Sequence, residues 1–88
     1  MKIVQHLLPS YTCHKRVHAL QIRNVIVDND GISAMLTFKD ESFPPVNVNN
    51  EWLKKHRPTA SGYYVVYEDG YISFSPKKAF ESGYTRDE

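Results

Sequence analysis

Between Val17 and Asn29 the β-branched residues gather at Ile22, Val25, Ile26 and Val27, just ahead of Asp28-Asn29-Asp30-Gly31. Asp-Gly takes the positive-φ turn that joins antiparallel strands, so this pattern predicts a strand running into a hairpin. Beyond it Ile32, Ala34, Leu36 and Phe38 alternate with Ser33, Met35, Thr37 and Lys39. That is the two-residue period of a half-buried strand, with the first set facing inward. Asp40-Glu41-Ser42 turns the chain again. Phe43-Pro44-Pro45-Val46-Asn47-Val48 fits only an edge strand, because two prolines remove two ladder donors. Asn49 or Asn50 then caps a helical turn over Glu51-Trp52-Leu53-Lys54-Lys55-His56, with Trp52 and Leu53 packing over one end of the sheet. Pro58 ends the turn and biases Arg57 towards extended geometry.

The clearest element is a hairpin, Tyr63-Tyr64-Val65-Val66-Tyr67-Glu68, Asp69-Gly70, Tyr71-Ile72-Ser73-Phe74-Ser75. With Asp69-Gly70 as a two-residue loop, Tyr67 faces Ile72, Val66 faces Ser73 and Val65 faces Phe74. That register puts Tyr63, Val65, Tyr67, Ile72 and Phe74 on a core face. Tyr64, Val66, Glu68, Tyr71, Ser73 and Ser75 fall on a mixed outer face. Ser75-Pro76 reads as a helix start, with a capping hydroxyl and proline at the first helical position. Phe80 pins this short helix to the sheet, and Gly83 ends it with Tyr84 folding back. The expected fold is mainly β: a small five-stranded SH3-like barrel, or an open antiparallel sheet, with a short C-terminal helix.

At 88 residues the chain has room for one domain. Its expected extent is 11–84, preceded by an N-terminal arm or extra strand over 1–10 and followed by a tail over 85–88. The apolar patch Ile3, Val4, Leu7, Leu8 is broken by Gln5 and His6 and stopped by Pro9. It is too short for a secretory signal or a membrane span, so the expected location is the cytoplasm. Eleven Lys+Arg against ten Asp+Glu leave a net charge of +1, far from the strong basicity of domains built mainly to hold a nucleic-acid backbone.

Cys13 is the only cysteine, which excludes an internal disulfide. Cys13 and His14 adjoin in sequence, but neighbours in an extended chain point to opposite faces and make poor proton-transfer partners. His14 and His18 have helical metal-ligand spacing, yet the surrounding pattern is extended, which separates them by about 13 Å. With no phosphate-binding loop and no carboxylate constellation either, the expectation is a non-enzyme with no metal and no cofactor.

Three basic clusters remain: Lys15-Arg16, Lys54-Lys55-His56-Arg57 and Lys77-Lys78. Solvated surface and a real patch are both open readings of them. The candidate partner-binding set is Tyr64, Val66 and Tyr71 on the outer hairpin face, with Lys54, Lys55 and Arg57 leading into it. Tyrosine beside lysine and arginine serves protein hot spots and single-stranded nucleic-acid platforms alike.

Two stretches, Cys13-His14-Lys15-Arg16-Val17-His18-Ala19-Leu20-Gln21-Ile22 and Gly62 to Pro76 with Phe80-Glu81 and Gly83-Tyr84, resemble small proteins of tailed bacteriophages and prophages. Trp52 and Lys55-His56-Arg57-Pro58 fit the same pattern, and the likeness spans about Tyr11 to Tyr84. Where the pattern carries a paired glycine before the two tyrosines, this chain has Ser61-Gly62. The resemblance supplies no active site. It implies a bacterial cytoplasm and a small accessory protein that binds or blocks a host or phage protein. A nucleic-acid-binding module is the alternative, and an exposed strand edge offers a homodimer contact.

Overall fold

The computed structural model describes residues 16–86 together with Pro9. The expected arm, including Ile3, Val4, His6, Leu7 and Leu8, lies outside the described residues apart from Pro9, as do Cys13, His14, Lys15 and the last two residues of the tail. Along the described chain run β1 (His18–Val27), β2 (Ala34–Phe38), β3 (Val46–Val48), α1 (Asn50–His56), β4 (Tyr63–Val66), β5 (Ile72–Ser75) and α2 (Lys77–Gly83). The fold is mainly β, as the pattern predicts. The strands pair antiparallel in one sheet of order β3-β2-β1-β4-β5, curled into a half-barrel. Three consecutive strands followed by a fourth that returns beside the first is a Greek key, here extended by β5.

The alternation in β2 places Ala34, Leu36 and Phe38 in the core, where they join Ile22 and Val48. Ile32, expected inward with them, precedes the strand and is exposed. β1 holds both Ile22 and Val25 against this core although three positions separate them. The register slips between Ile22 and Asn24, so one residue of β1 is left without a cross-strand partner. A bulge of this kind restores the inward phase of the residues after it. The β1–β2 loop is closed by the Asp28 amide on the Ser33 carbonyl at 2.8 Å, and Gly31 takes a positive φ of 69°.

Asn49 caps α1, its side chain accepting the Trp52 amide at 2.9 Å. Arg57 closes the helix in the left-handed region, at φ 45°, and donates its amide to the Leu53 carbonyl. This corrects the extended geometry expected of a residue before proline. The carbonyls left free at the helix end favour a left-handed cap strongly enough to override that bias. Trp52 leans from α1 across the open side of the half-barrel and donates its indole N–H to the Ile72 carbonyl at 3.2 Å.

The last hairpin forms, one residue out of the expected register. Tyr64 pairs with Phe74 and Val66 with Ile72. The loop is three residues long, Glu68-Asp69-Gly70. It is closed by the Tyr67 amide on the Tyr71 carbonyl and by a turn from the Gly70 amide to the Tyr67 carbonyl, both 2.9 Å. Gly70, at φ 90°, supplies the left-handed residue such a loop needs. A one-residue slip exchanges faces. Tyr64 therefore joins Phe74, which keeps its expected place on the core, while Tyr63 points to the opposite face.

α2 settles on that opposite face. Phe80 stacks on Tyr63 with centroids 4.2 Å apart, Tyr84 stacks on Phe80 at 4.7 Å, and the Tyr63 hydroxyl donates to Glu81 at 2.7 Å. Ser75 does not cap the helix. It stays in β5 opposite Tyr63, and Pro76 occupies the cap position with no side-chain bond. Gly83 is the last helical residue, and the Tyr84 amide closes the turn on the Phe80 carbonyl.

Candidate partner-binding face

The last turn of α1 meets the β4–β5 loop at one end of the sheet. Each side is positioned by its own local chemistry. On α1, Trp52 and His56 stand one helical turn apart, so their rings meet, with centroids 4.7 Å apart. On the hairpin, the Asp69 carboxylate accepts the Tyr71 amide at 3.0 Å and holds the start of the returning strand. Tyr71 then presents its ring to the edge of His56 at 6.2 Å and to Tyr67 at 5.9 Å, while the Lys55 ammonium lies 5.3 Å from its centroid.

These contacts extend inward without a break. Trp52 lies 6.1 Å from Tyr64, which lies 5.6 Å from the buried Phe38. A chain of rings thus runs from the core to the surface and ends on Tyr71, which is 46% exposed. An aromatic anchor backed in this way has little freedom left to lose on binding.

Of the residues expected to face a partner, Lys55 and Tyr71 are in contact. Lys54 and Arg57 are exposed beside them, on the last turn and at the cap. Among the described residues none of Lys54, Lys55 and Arg57 has a carboxylate within ion-pair distance, whereas Arg23 pairs with Glu41 at 3.0 Å. Tyr64 is half-buried and packs on the core, which corrects its expected place on an outer face. Val66 is half-buried beside Ile72. Phe80, expected to pin the terminal helix to the sheet, does so on Tyr63, across the sheet from Tyr64.

His56, part of the basic cluster but outside the expected partner-binding set, joins the site, and its spacing of four from Trp52 is the signal in the sequence. Partial burial holds its imidazole below the usual histidine range, and the Lys55 charge adds to the effect. Burial likewise raises the Tyr64 phenol. Beside Tyr71 a depression of about 470 Å³ is lined by Arg16, Tyr67, Glu68 and Asp69. Among the described residues no three His, Cys, Asp or Glu side chains converge on a point that could hold a metal, and His18 stands exposed in β1. Also among them, no helix is long and apolar enough to cross a membrane.

No protein-family model matches the chain, and no curated protein matches it. Among solved structures the chain is similar to a phage decoration protein. The structure is that of the monomeric form of the phage L decoration protein in solution, with 26% sequence identity and a TM-score of 0.62. The match covers 90% of this chain and 64% of that one, so this chain spans less than two thirds of the neighbour's length. The likeness agrees with the phage-type character implied by the sequence motifs.

Proposed function

We propose that this chain is a non-catalytic phage accessory protein that attaches to a protein surface of a phage particle through the Tyr71 face. The observation that carries the reading is Tyr71 itself. It is half in water on a hairpin, supported from below by His56, Trp52 and Tyr64, and overlaid by Lys55. A rigid aromatic with cations at its rim is the composition of an interface hot spot. Lys54, Lys55 and Arg57 lack carboxylate partners among the described residues, so an acidic patch on the partner complements them.

The likeness to a decoration protein favours a particle protein over a host component as the partner. It equally favours a structural role over inhibition of a host process.

The test is co-sedimentation with purified particles of the tailed phage or induced prophage that encodes the chain, with and without nuclease. The wild-type chain is expected to pellet with the particles in both conditions. Tyr71→Ser should keep the melting temperature and weaken binding by about 30-fold, the equivalent of roughly 2 kcal/mol for one lost anchor. Binding abolished by nuclease would instead favour the nucleic-acid reading.

A further inference from the structure

A second surface lies at the other end of β1. The Tyr71 face adjoins the strand's start, where His18 pairs with Val66. The β1–β2 loop lies beyond its finish, where Val27 pairs with Ala34. Ten residues of strand separate the two ends, about 30 Å by strand rise. At the far end Ile26, Val27 and Ile32 expose 50%, 58% and 55% of their surfaces. Hairpin tips ordinarily carry polar residues there.

The tip is braced. Asp30 accepts the Ile32 amide at 2.8 Å, Asp28 accepts the Ser33 hydroxyl at 2.6 Å, and the Asp28–Ser33 main-chain bond closes the loop. Ile26 sits opposite Met35, which is itself half-buried. The three exposed side chains are β-branched and stiff, so they lose little freedom when enclosed. Asp28 and Asp30 give the tip an acidic rim with no cation in ion-pair contact among the described residues.

We propose that this tip inserts into an apolar socket with a basic rim on the particle protein, as a contact separate from the Tyr71 face. The inference rests on the particle reading given above. Two arguments select a socket in a larger partner over a second copy of the chain. Side chains of this size, half exposed, leave on the order of 300 Å² uncovered, against ~800 Å² per partner in a stable interface. The acidic rim also repels its own image in a symmetric pairing.

The test places a reporter on the tip: Ile32→Cys in a Cys13→Ser background, labelled with an environment-sensitive fluorophore and mixed with the same purified particles. Co-sedimentation is run on every sample. Emission of the pelleted chain should shift to the blue. The triple variant Ile26→Ser, Val27→Thr, Ile32→Ser should melt within a few degrees of wild type and bind at least 10-fold more weakly. Pelleted chain whose label still emits as in water would overturn the inference while leaving the Tyr71 reading intact. A blue shift that grows with the chain's own concentration, without particles, would overturn it in favour of self-association. Failure of the unlabelled wild-type chain to pellet would overturn the particle reading and this inference together.

Discussion

Gly62 and Gly70 flank the same hairpin, and the structure assigns them different reasons for being glycine. Gly62 is buried, and a methyl group built on it falls against Cε1 and Cζ of the Phe74 ring and 3.0 Å from the Ser75 carbonyl. The carbonyl belongs to the β5 ladder and cannot yield, so the ring must move, by roughly 1.5 Å to regain normal carbon–carbon contact. Phe74 packs against the core cluster, so its displacement disturbs Tyr64 and the residues beneath. Overpacking of this kind costs about 2–3 kcal/mol. For a domain of this length that lowers Tm by roughly 10–20 °C. Gly70 has open space where a Cβ would stand, but a φ of 90°. Gly70→Ala therefore meets only the conformational penalty, about 1 kcal/mol or 4–8 °C. Thermal unfolding followed by circular dichroism measures both. Phe74→Leu, which shortens the offending ring, should recover part of the Gly62→Ala loss, giving a coupling of about 1 kcal/mol between the sites. Gly62→Ala melting at or above Gly70→Ala would refute the register, because only the observed pairing brings Phe74 beneath Gly62.

Three further outcomes follow from the same contacts. Trp52→Phe keeps a ring over the open side of the half-barrel but leaves the Ile72 carbonyl without its indole donor, so urea unfolding should show a loss of about 1–2 kcal/mol; no loss would mean that the indole bond contributes nothing. Tyr64→Ala should destabilise the fold by about 2–3 kcal/mol while Tyr71→Ser changes Tm by no more than a few degrees, and equal effects would put the two tyrosines in the same environment. His56 is held below its ordinary value of 6.5, so the unfolded chain binds its proton first as pH falls. Its contribution to stability is complete above that value and is lost as pH drops through it towards the folded-state value. Tm of the wild type should therefore fall more steeply from pH 7.5 to 5.5 than Tm of His56→Gln, and parallel curves would remove His56 from the account.

Elements whose signal is local were legible in the sequence. The alternation from Ala34 to Phe38 is a strand, the two prolines lie just ahead of the short edge strand β3, and Asn49 caps α1. Register was not legible from turn composition. Asp69-Gly70 suits a two-residue loop and equally supplies the left-handed glycine of a three-residue one, and the cross-strand bond from the Tyr67 amide to the Tyr71 carbonyl decides between them. That single step moved Tyr64 from the outer face to the core and Tyr63 from the core to α2. The bulge in β1 left a trace, the three-residue gap between Ile22 and Val25, which simple alternation does not explain. Ser75 illustrates a different conflict, between a capping preference and a place in a ladder, and the ladder won. The basic cluster and Tyr71 were visible as residue types. Their meeting over His56 depends on the return of the chain from α1 to β5, which only the three-dimensional fold supplies.

The central claim, attachment to a particle through the Tyr71 face, is tested most directly by cryo-electron microscopy of purified particles incubated with the chain. Difference density on the outer protein surface should accommodate the half-barrel with α1 and the β4–β5 loop turned towards the particle, and Tyr71→Ser should reduce its occupancy. Particles without added density, or density in which α1 and the β4–β5 loop face solvent, would contradict the account.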